Sequence, residues 1–134
     1  MWTKWFVVMA GIALLPAVPV AAHHAFAAEF DVSQPVKIRG TVTKVEWVNP
    51  HAWIYVDVKD ADGSVVNWRF ELGPPNALIR LGWKKDSIPS GLEVAIEGFR
   101  AKNGGPVANG RSIKLPDGRE LFSGGSGPNS NPDK

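Results

Sequence analysis

The sequence predicts an all-β domain with one short helix, folded as a small OB-fold-like Greek-key β-barrel. Short segments of the chain alternate apolar and polar residues with period two, as half-buried strands require. One segment with helical character falls between the third and fourth predicted strands, and the first strand is long and bent. That element order is typical of OB-folds. A plain β-sandwich is the rival interpretation, but it leaves the position of the helix unexplained.

The first predicted strand covers residues 36–48 and carries two signs of bending. Its apolar residues alternate as far as Val42 and then change phase near Thr43, which indicates a β-bulge. Gly40 lies inside the alternating part and favours a bend. Asn49-Pro50 then ends the strand, because proline has no amide hydrogen to offer a neighbouring strand.

A hairpin and a short helix come next. Strands are predicted over residues 52–58 and 65–72, and the aspartates and glycine of residues 60–63 are typical of a hairpin turn. The helix is predicted over residues 75–81. A proline suits its first position, and Gly82 can close its last turn.

Two strands, a short extension and a polar tail complete the chain. The strands are predicted over residues 92–101 and 107–115, and the extension over residues 120–122. The tail, residues 123–134, is rich in Gly, Ser, Pro and Asn and is expected to be disordered because it offers no apolar surface to bury. The alternation places four residues in one core: Val66, Phe70, Val94 and Ile96.

The composition excludes several classes of function. The chain has 134 residues, and its net charge of +2 is too small to indicate a nucleic-acid partner. It has no cysteine, which excludes thiol catalysis, cysteine-ligated zinc and disulfides. No ordered nucleophile set or phosphate-binding loop is present, so a non-enzymatic protein is expected. Residues 60–71 imitate the spacing of an EF-hand, but Val65 stands where that loop needs glycine.

Residues 1–22 have the pattern of a secretory signal peptide. Lys4 precedes an apolar run of ten residues, Phe6 to Leu15, whereas a membrane span needs roughly 20. The small residues before His23 allow cleavage there, which predicts a periplasmic protein with no stable membrane span after processing. Cleavage before Ala22 or Ala28 is an alternative, as is an uncleaved anchor.

After this segment the organisation is predicted to be an N-terminal arm and one barrel domain. The arm covers residues 23–35, with Phe26 and Phe30 as anchors, and the OB-like barrel covers residues 36–122. The disordered tail follows it.

Three histidines, His23, His24 and His51, make up the candidate metal site. If cleavage exposes His23, its amine and imidazole can chelate one ion, and a further imidazole can complete a set of nitrogen ligands, which favours Cu(II). The loop that carries His51 borders the usual ligand face of OB barrels, and the arm is long enough to reach it. A carboxylate could add an oxygen ligand from one of three residues: Glu29, Asp31 or Glu71. In the alternative interpretation His51 caps its turn and the histidine pair is a solvated terminus.

Three aromatic residues, Trp47, Trp53 and Tyr55, are candidates for an outer strip beside His51, and packing in the core or at an edge is the favoured alternative for them. Such a strip can stack on a ligand. Since basic residues do not cluster beside it, the strip favours a protein or glycan partner over nucleic acid. This gives a second hypothesis, a metal-free periplasmic binding module. Copper-dependent oxidation at a histidine brace is a third, disfavoured because so small a barrel offers little substrate surface.

The chain also resembles DUF6152, an uncharacterised family of secreted bacterial proteins. The resemblance covers roughly residues 23–122, and its most specific parts are the paired histidines and Asn49-Pro50-His51. The other matching stretches are His23–Phe26, Phe30-Asp31, Gly40–Val42, Trp47-Val48, Trp68 with Glu71, Leu78–Trp83 and Gly91. The resemblance implies an exported small β-domain and brings no activity or cofactor. The copper hypothesis therefore depends on histidine chemistry alone.

Overall fold

A computed structural model describes residues 25–132, and this part of the chain is mainly β-structure, as predicted. The elements are α1 (residues 25–29), β1 (Phe30–Glu46), β2 (Trp53–Lys59), β3 (Val65–Glu71), α2 (Pro75–Arg80), β4 (Glu93–Ala101), β5 (Val107–Lys114) and β6 (Glu120–Phe122). The predicted helix between the third and fourth strands is confirmed. Its Leu78 is fully buried, and Gly82 follows with a φ of +90°, a backbone conformation that favours glycine.

All the strands form one sheet with the order β3-β2-β1-β4-β5-β6. Neighbours in this order are antiparallel, and β3 also pairs in parallel with β5 where residues 69–71 face residues 107–109. The parallel pairing joins β3 and β5, which stand first and fifth in this order. As a result β1, β2, β3, β5 and β4 form a closed circuit of paired strands.

The long strand β1 is shared between two neighbours and bends between them. Its first part pairs with β4 and its last part with β2, and the register with β2 shifts between Val42 and Lys44. The bulge predicted near Thr43 is confirmed. Gly40 permits the close approach of β1 to β2, because a Cβ atom at this position would lie 2.3 Å from the carbonyl oxygen of Asp57 on β2.

The start of β1 differs from the prediction. Residues 30–35 were expected to belong to an arm, but β1 begins at Phe30, which pairs with Ala101 of β4. The register is irregular between Phe30 and Pro35. A proline inside an edge segment hides the alternation on which the prediction relied.

The main core contains three of the four predicted residues. Phe70, Val94 and Ile96 are buried together, as expected. Val66 is only half-buried and lies outside this cluster. The reason is the short pairing of β3 with β5, which covers only residues 69–71 and leaves the first half of β3 at an edge.

A second, smaller cluster fixes α1 to the sheet. Phe26 and Phe30 are 5% and 3% exposed, and they pack with Ala101 apart from the main core. Their rings lie 5.6 Å apart, and Phe99 of β4 contacts Phe26 edge-on at 6.0 Å. The two phenylalanines expected to act as anchors do so.

The tail prediction is wrong for residues 123–130, which fold back onto the sheet. Ser123 and Ser130 are buried, and the Ser123 amide donates to the Arg111 carbonyl at 2.9 Å. Hydroxyl and backbone hydrogen bonds hold this segment. A prediction that searches for apolar surface does not detect them.

Candidate functional site

His51 lies in the loop between β1 and β2, directly after a cis Asn49-Pro50 peptide bond. Its Nδ1 atom is 3.1 Å from the carbonyl oxygen of Leu72. A carbonyl can only accept, so Nδ1 carries the hydrogen and donates it. In the neutral ring the lone pair is then on Nε2, and no described residue hydrogen-bonds to that atom. A histidine oriented in this way is ready to bind a metal through Nε2.

The carboxylate of Glu71, at the end of β3, lies beside this imidazole. Its Oε1 atom is 3.8 Å from Nδ1 of His51, and the amide of Asn109 on β5 donates to the same oxygen at 3.4 Å. The Glu71 side chain is 11% exposed, and burial raises the pKa of its carboxyl while His51 opposes the shift. Glu71 therefore lies on the Nδ1 side of the ring, and the Nε2 side is left to other groups.

His51 and Glu71 open onto a small cavity of about 100 Å³. The other lining residues are Ala25, Phe26, Glu29 and Phe30 from the N-terminal segment, and Ser126 from the folded tail. His23 and His24 lie outside the described residues. Ala25, which follows His24 directly in the sequence, is the first described residue and lines the same cavity as His51.

Only two of the three candidate oxygen ligands reach this cavity. Glu29 and Glu71 line it, whereas the Asp31 carboxylate accepts from the Ser33 hydroxyl at 2.6 Å and from the Ser33 amide at 2.9 Å. These bonds lower the pKa of the Asp31 carboxyl. Within residues 25–132 no three His, Cys, Asp or Glu side chains, including the three that line this cavity, are placed so that they could hold a metal ion.

The structure separates the three aromatic residues of the predicted strip. Trp47 packs against the main core and contacts Trp83 edge-on, with ring centroids 6.3 Å apart. Trp53 and Tyr55 instead share the outer side of β2, because they alternate with the buried residues Ile54 and Val56. Two of the three residues therefore lie on this face, and Trp47 does not.

Arg69 is a further residue on the same face, and the sequence analysis did not single it out. Its guanidinium lies over the Trp53 ring, 5.2 Å from the centroid, and the two line a cleft of about 380 Å³. Lys102 and Asn103 also line this cleft, and the Lys102 ammonium donates to the carbonyl of Ala27. The signal was present in the sequence, since Arg69 alternates with Trp68 and Phe70 and so faces outward.

Comparison with known proteins gives one match. The model of DUF6152, described as a family of unknown function, matches residues 12–110. Neither a curated protein nor a solved structure matches the chain. Among the described residues, no helix has the length and apolarity needed to cross a membrane.

Proposed function

The chain belongs to DUF6152, a family of unknown function, and we propose from its own residues that it is an exported, periplasmic β-barrel protein that binds copper. The ligands are the processed N-terminal histidines, His23 and His24, together with His51. The observation that carries the proposal is the shared cavity: the residue that follows His24 lines the same space as His51.

The barrel part of the proposal is supported by the strand pairings. The circuit β1-β2-β3-β5-β4, closed by a parallel β3–β5 pair and with a helix between β3 and β4, matches the order of an OB-type Greek-key barrel. The bent strand β1 contributes to both halves of such a barrel. Export is supported by the signal-like pattern of residues 1–22.

Reach supports the metal site. His23 precedes Ala25 by two residues, and an extended chain covers about 3.3–3.6 Å per residue, so its α-carbon lies within about 7 Å of that of Ala25. The imidazole side chain adds further reach toward the cavity. The free amine and the imidazole of His23, with Nε2 of His51, form a set of three nitrogen ligands, and the His24 imidazole offers a fourth.

Nitrogen ligands of this kind favour Cu(II), which stands at the top of the affinity order of divalent first-row metals. An N-terminal amine has an ordinary pKa of about 7.7–8.0, so proton competition is modest near neutral pH. Glu29 and Glu71, which border the cavity, supply negative charge that partly neutralises the cation.

Titration of the correctly processed protein with Cu(II) tests this proposal. One ion should bind well below micromolar, and affinity should fall at acidic pH because protons compete for the same nitrogens. His51→Ala should weaken binding without unfolding the protein, because its side chain is 37% exposed. Val48→Ala is the matched control, since Val48 is 47% exposed in the same loop. Equal affinity of His51→Ala and the parent would overturn the shared site.

A second candidate function is a metal-free module that binds an acidic glycan, and the cleft beside Trp53 favours it. A guanidinium that lies over an indole and has no other polar partner can direct its N–H groups to a carboxylate. The indole can in turn pack against the apolar side of a sugar ring. Within residues 25–132 the Arg69 guanidinium makes no hydrogen bond or ion pair, and only the Arg69 backbone amide donates, to the Pro106 carbonyl at 3.1 Å.

Binding of oligogalacturonate, followed by tryptophan fluorescence, tests the glycan function. Arg69→Gln should abolish the response, whereas Arg80→Gln, which removes an exposed arginine from α2, should leave it intact. A neutral oligosaccharide serves as the ligand control. Equal fluorescence responses to the acidic and the neutral glycan would contradict a site that recognises carboxylates.

A further inference from the structure

The segment after β6 forms a small closed loop, residues 123–130, here called the C-terminal loop. The amide of Gly73 donates to the Ser123 carbonyl at 2.7 Å and fixes the start of the loop. The amide of Gly124 donates to the Ser130 carbonyl at 2.8 Å and closes it. The Ser130 hydroxyl donates to the Gly127 carbonyl, also at 2.8 Å, so a buried side chain braces the interior of the loop.

Gly127 brings this loop against α1 and β5 at once. A Cβ atom at Gly127 would lie 2.4 Å from Oδ1 of Asn109 and 3.0 Å from Cε2 of Phe26. A methyl group at this position would therefore require the Asn109 side chain and the Phe26 ring to shift. The next residue back, Ser126, lines the cavity of His51. The loop therefore contacts the anchor of α1 and also forms part of the wall of the candidate site.

The two ends of α1 are held by different contacts. At its C-terminal end the amide of Lys102 donates to the Glu29 carbonyl at 2.9 Å, and the Lys102 ammonium donates to the carbonyl of Ala27. The end nearer His24 is held through Phe26, which packs between Phe30, Phe99 and the C-terminal loop. A displacement of Phe26 would therefore move Ala25, where the described chain begins, relative to His51.

We infer that the C-terminal loop seats α1 against the His51 cavity, and that Gly127 is a positioning residue for the copper site. This inference depends on the proposed function for its copper part only. The seating of α1 stands on contacts within the described residues.

Two substitutions in the full-length chain separate positioning from general packing. Gly127→Ala inserts a methyl group between Asn109 and Phe26. Gly125→Ala is the matched control in the same loop, because its Cβ atom would meet Ser123 Oγ at 3.5 Å, an ordinary contact distance. Ser130→Ala loosens the loop without adding volume, which gives a second way to perturb it.

Amide hydrogen exchange is the first readout and needs no metal. The Lys102 amide reports the seating of α1, and the Val42 amide, which donates to the Leu92 carbonyl at 2.9 Å, reports the main sheet. Exchange at Lys102 should rise about 5- to 150-fold in Gly127→Ala, the factor expected when one methyl is forced into a packed contact. Exchange at Val42 should change much less, and Gly125→Ala should leave both amides as in the parent.

Copper affinity is the second readout, and it should fall in Gly127→Ala but not in Gly125→Ala. If exchange responds and the parent binds no copper, the seating stands and the copper proposal fails. If the parent binds copper and Gly127→Ala binds it equally well despite faster exchange, the positioning role is overturned. If Gly127→Ala accelerates hydrogen exchange equally at the Lys102 and Val42 amides, exchange is measured in Ser130→Ala instead. An unchanged exchange rate of the Lys102 amide in Ser130→Ala would overturn the inference that the C-terminal loop seats α1.

Discussion

Phe70→Ala is the substitution expected to damage the fold most directly. Phe70 is fully buried at the end of β3, where Ile54 of β2 and Ala108 of β5 pair with it on either side. Replacing a buried phenylalanine by alanine costs about 3–5 kcal/mol of unfolding free energy. We expect the upper half of that range, because hydrogen-bonded strands on both sides limit collapse of the cavity. The Phe70 ring also stacks on Trp68, with centroids 6.1 Å apart, a contact worth about 0.5–1.5 kcal/mol.

Urea denaturation followed by far-ultraviolet circular dichroism measures this loss without relying on the neighbouring Trp68. A domain of this size has a total stability of about 5–15 kcal/mol, so the variant should unfold at much lower urea or be partly unfolded without it. Val65→Ala is the matched control, since Val65 is 59% exposed on the same strand and should change stability by less than about 0.5 kcal/mol. A loss below about 1 kcal/mol for Phe70→Ala would refute the assigned core.

Two further predictions concern the N-terminal part of the chain. Ser33→Ala should raise the pKa of Asp31 toward 3.8 because it removes the hydroxyl bond that lowers it; carboxyl-carbon NMR measures the shift, and an unchanged pKa would contradict the assigned cause. Because that pKa is lowered in the folded protein, the stabilisation from Asp31 is present above pH 3.8 and is lost as pH falls through the folded value. The intact mass of the exported protein should correspond to a chain that starts at His23 or, as second choice, at Ala22. A start at Ala28 would remove both histidines and the copper site with them, and retention of Met1 would favour a membrane anchor.

Periodicity explains why most of the sheet could be predicted from sequence. Alternation located β2 to β5 to within one or two residues, and the change of phase at Thr43 located the bulge. Val66 fits the same alternation, but it lies at an edge of the sheet. Burial of its side chain depends on how far β5 extends along β3. Register of that kind is set by long-range pairing, which a single segment of sequence does not contain.

The candidate site was predictable in its parts but not in its assembly. His51 and Glu71 were identified from sequence, yet their contact depends on the pairing of β2 with β3. For Trp47 the sequence left two placements open, the outer strip and packing in the core, because this residue follows the bulge and the end of β1, where alternation no longer fixes the direction of its side chain. The wall formed by Ser126 was missed because its segment is held by hydrogen bonds and not by apolar burial.

Electron paramagnetic resonance of the processed protein loaded with one Cu(II) tests the central claim most directly, because nitrogen couplings report which ligands touch the metal. The proposed site predicts that His51→Ala loses one coupled nitrogen relative to the parent and that Val48→Ala does not. Identical nitrogen couplings in the parent and in His51→Ala would contradict the claim, since copper would then be held by the terminus alone.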